Sequence, residues 1–161
     1  MIVNKAYRYR IYPTTAQKMM FAKTFGCVRF IYNKMLRDRI DYYKETGQKL
    51  NNTPAQYKEE IPWLKEVDSL ALANAQMNLN KAYSHFWNDS QHFGKPRFKS
   101  KKNSRASYST NNQKGSVRIE GHKVKLPKVG WVKLCQHRPL PENSIIKTVT
   151  ISQTPSGKSS V

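Results

Sequence analysis

The chain has 161 residues, 29 of them Lys or Arg and 10 Asp or Glu, so its formal net charge is +19 and its pI about 10.1. That size suits one ordinary domain or two small ones, and that charge favours a polyanionic partner, nucleic acid ahead of an anionic membrane. No run nears the roughly 18 apolar residues of a spanning helix, and the start MIVNKAYRYR lacks a signal-peptide core, so neither a membrane partner nor export is expected.

The charge is unevenly spread. Residues 1–37 carry eight bases and no acid, residues 38–89 six bases and eight acids, and residues 90–161 fifteen bases and two acids. A near-neutral middle therefore sits between two cationic flanks. Cys27 and Cys135 stand alone, and His85, His92, His122 and His137 have no ligand spacing, so no disulfide, metal or cofactor is expected.

In chain order, residues 2–12 alternate, with Val3, Tyr7, Tyr9 and Ile11 on one face and Arg8 and Arg10 on the other: a half-buried strand stopped by Pro13. Thr14-Thr15-Ala16-Gln17 reads as a capping box opening a short helix to about Phe25, which Gly26 breaks. From Cys27 to Thr46, Val28, Tyr32, Met35, Leu36 and Tyr43 recur at helical spacing, and Gly47 caps the end. Thr53-Pro54 starts a brief helix closed by Pro62. Asp68 or Ser69 caps a longer helix to about Asn88, with Leu72, Ala75, Leu79, Ala82 and Phe86 inside.

Beyond Ser90 the period changes from helix to strand. Segments near 106–111, 117–120, 123–126, 130–135 and 144–153 are short, rich in Val, Ile, Trp and Tyr, and punctuated by Gly and Pro. The expected fold is α+β: a small helical bundle inserted after the first strand of a partly open antiparallel β-barrel. The expected division is 1–12 for the first strand, 13–92 for the bundle and 93–161 for the remaining strands. The turn TPSGK followed by Ser159-Ser160-Val161 predicts a hairpin with a stub of a second strand, an unpaired edge, and a chain shorter than its parent fold.

The stretch FGKPRFKSKKNSRASYSTNN, residues 93–112, has no acid. Lys95, Arg97, Lys99, Lys101, Lys102 and Arg105 are candidate phosphate contacts, and Phe93, Phe98 and Tyr108 candidate stacking platforms; the plainer reading is a solvated basic linker. On the helix near 69–88, Asn74, Gln76 and Asn78 are candidate base readers, because a carboxamide can pair with an adenine edge, although such residues also serve to solvate a helix face. Arg8 and Arg10 are candidate backbone contacts. For catalysis nothing converges: Asp38 and Asp41 are three apart but alternate with Arg37, Arg39 and Lys44, which predicts ion pairing rather than a metal site.

Five stretches taken together, NKAYRYRIYPTTAQ, FGCVRFIYNKML, WLKEVDSLALANAQMNLNKAYSHFW, FGKPRFKSKK and VKLPKVGWVKL, resemble in order and spacing the amino-terminal part of the TnpB (OrfB) proteins, transposon-encoded RNA-guided DNA nucleases. The resemblance implies a wedge-like barrel with an inserted recognition bundle, a structured guide RNA, and duplex DNA beside a short target motif as partners. By position it implies that Ser69 to Lys81, with Asn74, Gln76 and Asn78, and the segment around Tyr108, Thr110 and Asn111 face that motif. Lys5, Arg8, Arg10 and the basic segment would line the nucleic acid. The family continues into a RuvC-type nuclease domain and a zinc ribbon, neither of which this sequence carries, so the chain is not expected to cut DNA itself; a separate nuclease-bearing chain is a further implied partner. The expected setting is the cytoplasm of a bacterium or archaeon, near the nucleoid. A stand-alone, sequence-specific DNA-binding regulator derived from a transposase gene is the alternative.

Overall fold

The computed structural model describes residues 4–102, 106–154 and 158–161. Strand β1 (Arg10–Tyr12) leads at once into helix α1 (Thr15–Thr46), whose first turn is closed by a reciprocal cap. The Gln17 N–H donates to Thr14 Oγ1 at 3.3 Å and the Thr14 N–H donates to Gln17 Oε1 at 2.9 Å.

Gly26 does not break this helix. All 32 residues form one rod about 48 Å long. A mid-helix glycine costs only about 1 kcal/mol, whereas the buried stripe Phe21, Phe25, Val28, Ile31, Met35 and Leu36 runs through it without a gap. Tyr43, read as part of that stripe, is half-exposed because the helix has by then outrun the core. Gly47 ends the helix in the left-handed region at φ +70°, its N–H bonded to the Tyr43 carbonyl.

Helix α2 (Pro54–Lys58) and a 3-10 turn (Pro62–Glu66) lead to helix α3 (Ser69–Asn88), which is capped by Asp68. The bend before α2 is held by a polar network. Buried Asn52 accepts from Arg39 Nε at 2.7 Å and donates to the Met35 carbonyl and the Tyr57 hydroxyl, which in turn donates to Asp38 at 2.7 Å. Asp38 thus pairs with a neighbouring helix cation, Lys34, as expected, and also accepts from Tyr57, whereas Arg39 serves an amide rather than a neighbouring acid.

The remaining strands are β2 (Ala106–Asn111), β3 (Arg118–Glu120), β4 (Lys123–Leu126), β5 (Gly130–Cys135), β6 (Thr148–Gln153) and β7 (Ser159–Ser160). They form one antiparallel sheet in the order β2-β6-β7-β1-β5-β4-β3, a curled half-barrel with the helices inserted between β1 and β2. The first strand, expected over 2–12, is only Arg10–Tyr12: residues 4–9 lie ahead of the ladder, and of them Tyr9 alone exchanges backbone bonds, with Val161. Ile2, Val3 and the central part of the last hairpin turn lie outside the described residues.

The C-terminal stub is not an unpaired edge. Strand β7 pairs with β6 on one side and β1 on the other, and Val161 and Tyr9 exchange backbone bonds of 2.8 and 2.9 Å. The sheet's edges are β2 and β3 instead. Sequence proximity suggested only the hairpin partner; the second ladder comes from a strand some 150 residues away. A single apolar core joins Ile11, Leu134 and Ile151 of the sheet to Phe21, Leu36 and Leu79 of the helices. Among the described residues, no helix is long and apolar enough to cross a membrane.

Candidate nucleic-acid interface

Between α3 and β2 the irregular segment 93–102 returns across α1 as a strap, tied at three points. Phe93 packs on the His85 ring of α3 at 4.7 Å between centroids. The Arg37 guanidinium of α1 lies over Phe98 at 5.0 Å. Asn33 of α1 grips Lys99 twice, its Nδ2 donating to the Lys99 carbonyl and its Oδ1 accepting from the Lys99 N–H, both at 2.8 Å. An irregular segment has no ladder for its backbone groups, so a side-chain amide supplies donor and acceptor together.

This attachment leaves the strap's side chains outward. Lys95, Arg97, Phe98, Lys101 and Lys102 are exposed. Lys99 is exposed too, but its amine lies 4.3 Å from the centre of the Tyr32 ring, and partial desolvation lowers its pKa. Among the described residues the ion pairs are Lys23–Glu66, Lys34–Asp38 and His92–Asp89, so no cation of the strap is matched by an acid. Its charge is available to a ligand.

Beside the strap runs an open groove of about 380 Å³ lined by Gly26, Arg29, Phe30, Asn33, Lys34, Arg37 and Phe98. Arg29, Asn33 and Arg37 share one face because they recur every four residues. Sequence reasoning missed all three. Their spacing was visible, but nothing local indicated that a segment 66 residues away would fold back on them.

The helix α3 residues sort into two groups. Ser69, Asn78 and Lys81 are exposed and Gln76 is half-buried. Asn74 back-bonds to the Leu70 carbonyl at 2.9 Å and reaches Asn111 Oδ1 of β2 at 3.4 Å. The structure therefore brings Asn74 and Asn111 together, as a seam between helix and sheet.

Two residues expected at that seam face inward. Tyr108 is 5% exposed, wedged between Phe21 and Phe25, and cannot stack on a base; burial, with Asp68 nearby, raises its pKa. Thr110 is fully buried and donates to the Asp68 carboxylate. Strand alternation places 108 and 110 on the core face of β2. Arg105 lies outside the described residues. Lys5 and Arg8, just ahead of β1, and Arg10 on it are exposed; Arg8 reaches Ser160 Oγ at 3.5 Å, and Arg10 lies over the Tyr12 ring at 5.2 Å.

No group of three or more His, Cys, Asp or Glu among the described residues is placed to hold a metal ion. Two of the acids have structural posts, Asp68 at a helix cap and Asp38 in the Asn52 network.

Known proteins resemble this chain in sequence. Residues 1–48 match the family model HTH_OrfB_IS605, described as "Helix-turn-helix domain". A protein of Streptomyces pristinaespiralis bearing the description "Putative RNA-guided DNA endonuclease" is 32% identical over 163 residues, covering 97% of this chain and 40% of its own length. The chain belongs to the TnpB (OrfB) family. A family relative with the same description, InsQ of Escherichia coli (strain K12), is 25% identical over 157 residues, 93% of this chain and 38% of its own. Virulence protein VsdF of Salmonella dublin is 33% identical over 113 residues, 60% of this chain and 93% of that protein. The chain thus spans about two-fifths of the length of the two TnpB-type relatives. In this family member the matched span 1–48 holds β1 and the unbroken α1, so the two helices of a helix-turn-helix do not both fall within it.

Proposed function

We propose that this chain is a nucleic-acid-binding module of a TnpB-like transposon protein, holding a structured guide RNA and duplex DNA beside a short target motif. One observation carries the reading: a strap of cations without acidic partners, clamped by Asn33 onto a helix face that adds Arg29 and Arg37. Such an arrangement neutralises phosphates without first breaking internal ion pairs. The exposed residues of α3, Ser69, Asn78 and Lys81, with half-buried Gln76, suit contacts to a duplex. The chain itself does not cut DNA in this reading, and cleavage belongs to a nuclease-bearing chain.

Purification separates this from other uses of the same charge. The chain is isolated with and without nuclease treatment, bound RNA is sequenced, and binding to that RNA and to duplex DNA is measured. A defined structured RNA that co-purifies and rebinds is the expected result. Nuclease-treated protein that ignores RNA but keeps sequence-specific duplex affinity would make the chain a stand-alone regulator instead.

A further inference from the structure

The outer face of the half-barrel is a second surface that neither strap nor bundle uses. Alternation buries Ile11, Val124, Leu126, Val132 and Leu134, and so turns Arg10, Tyr12, Trp131, Lys133, Lys123 and Arg118 outward. The registers arrange these residues in rows across the strands. Tyr12 faces Lys133, Lys133 faces Lys123, and Lys123 faces Glu120; Trp131 faces Lys125, which faces Arg118.

Two directly opposed pairs, Lys133–Lys123 and Lys125–Arg118, are therefore like-charged. Like charges directly opposite weaken a sheet, so these rows cost stability that an anion lying across them would relieve. Glu120 is the one acid in the rows. Two aromatic rings stand among the cations: Tyr12 is 47% exposed and Trp131 38% exposed. Both are anchored, Tyr12 beneath Arg10, and Trp131 through its carbonyl, which accepts from Gln17 Nε2 at 2.6 Å. Diagonal neighbours on adjacent strands stand about 7–8 Å apart, a separation over which successive unstacked bases can each meet a ring.

We propose that the outer face of β1, β5, β4 and β3 is a stacking platform for single-stranded nucleic acid, with bases on Trp131 and Tyr12 and phosphates on Lys133, Lys123 and Lys125. Duplex bases are already stacked on one another and do not reach such rings; unpaired bases do. The platform rests on the proposed function only in that the chain binds nucleic acid, and it uses none of the strap or groove residues.

The test follows the emission of Trp131 in a chain carrying Trp63→Phe and Trp87→Phe, so that Trp131 is the sole tryptophan. The chain is titrated with short oligouridylate, oligothymidylate, a duplex of equal length and phosphatidylglycerol vesicles. Saturable quenching by one or both single strands, and not by duplex, is expected; the two arms tell RNA from DNA. Trp131→Ala and Tyr12→Ala each weaken single-strand binding between about fivefold and a hundredfold, while Trp131→Phe, which keeps a ring, retains most of it. Unchanged Trp131 emission while a labelled strand binds, affinity unaltered by Trp131→Ala in a folded chain, or quenching by vesicles alone would overturn the platform. A chain that binds structured RNA but no single strand loses only this proposal; one that binds neither at low salt loses the proposed function as well.

Discussion

The side-chain amide of Asn33 replaces a strand partner for Lys99, meeting both its N–H and its carbonyl at 2.8 Å across 66 residues of sequence. Each bond is worth about 0.5–1.5 kcal/mol net, but their larger effect is positional, because they set where the strap's free cations stand. Asn33→Ala should leave the salt dependence of RNA binding unchanged, since no charge is removed, while lowering affinity severalfold. Hydrogen exchange at the Lys99 amide should accelerate in the same variant. Unaltered exchange would mean that the clamp does not hold the strap.

The Asn52 network gives a stability prediction independent of binding. Asn52 is 3% exposed and satisfies Arg39, the Met35 carbonyl and Tyr57 at once. Asn52→Ala strands several buried polar groups, at about 1–3 kcal/mol each before relaxation. A loss of about 3 kcal/mol is expected, lowering the melting temperature by about 6–12 °C for a chain of this size. A change within a degree or two would show that water replaces the amide freely.

The same network makes the fold sensitive to alkali. Burial, followed by the bond to Asp38, pushes the Tyr57 hydroxyl up to about 12 from 10.0. Between those values the unfolded chain releases this proton and the folded chain keeps it. The contribution of Tyr57 is therefore complete below pH 10 and is lost as pH rises towards 12. Urea melts across this window should show falling stability, and Tyr57→Phe should make the fall shallower. An equal slope in parent and variant would place the alkaline sensitivity elsewhere.

Gly26 tests the continuity of α1. A Cβ built there meets no atom within 4 Å, and the residue lies inside an unbroken helix. Gly26→Ala should stabilise the chain by about 0.5–1 kcal/mol through lower entropy of the unfolded state. Destabilisation would point to a break at this position in solution.

Much of the fold was legible in the sequence where the signal is local. Strands β2, β4 and β5 match the alternating segments 106–111, 123–126 and 130–135 to the residue, because Gly121, Pro127 and Gly130 bracket clear patterns. Helix α3 was legible for the same reason, and the structure decides between its two candidate caps, Asp68 and Ser69, in favour of Asp68. Non-local relationships were not. Gly26 reads as a breaker until the core packed along α1 is known, and β7 reads as a frayed end until β1 is placed beside it. The candidate interface divides likewise. Lys95, Arg97, Lys101 and Lys102 announce themselves by charge, whereas the inward turn of Tyr108 and Thr110 depends on which face of β2 meets α1 and α3.

The strap's charge is the centre of the account, and its salt dependence measures it most directly. Affinity for a structured RNA is determined over a range of salt for the parent and for a variant with Lys95, Arg97, Lys101 and Lys102 all replaced by Gln. The log–log slope should become shallower by about 0.7–0.9 for each phosphate contact removed, with the fold unchanged by circular dichroism. Parallel lines for the two proteins would contradict the account, because those cations would then lie outside the bound nucleic acid.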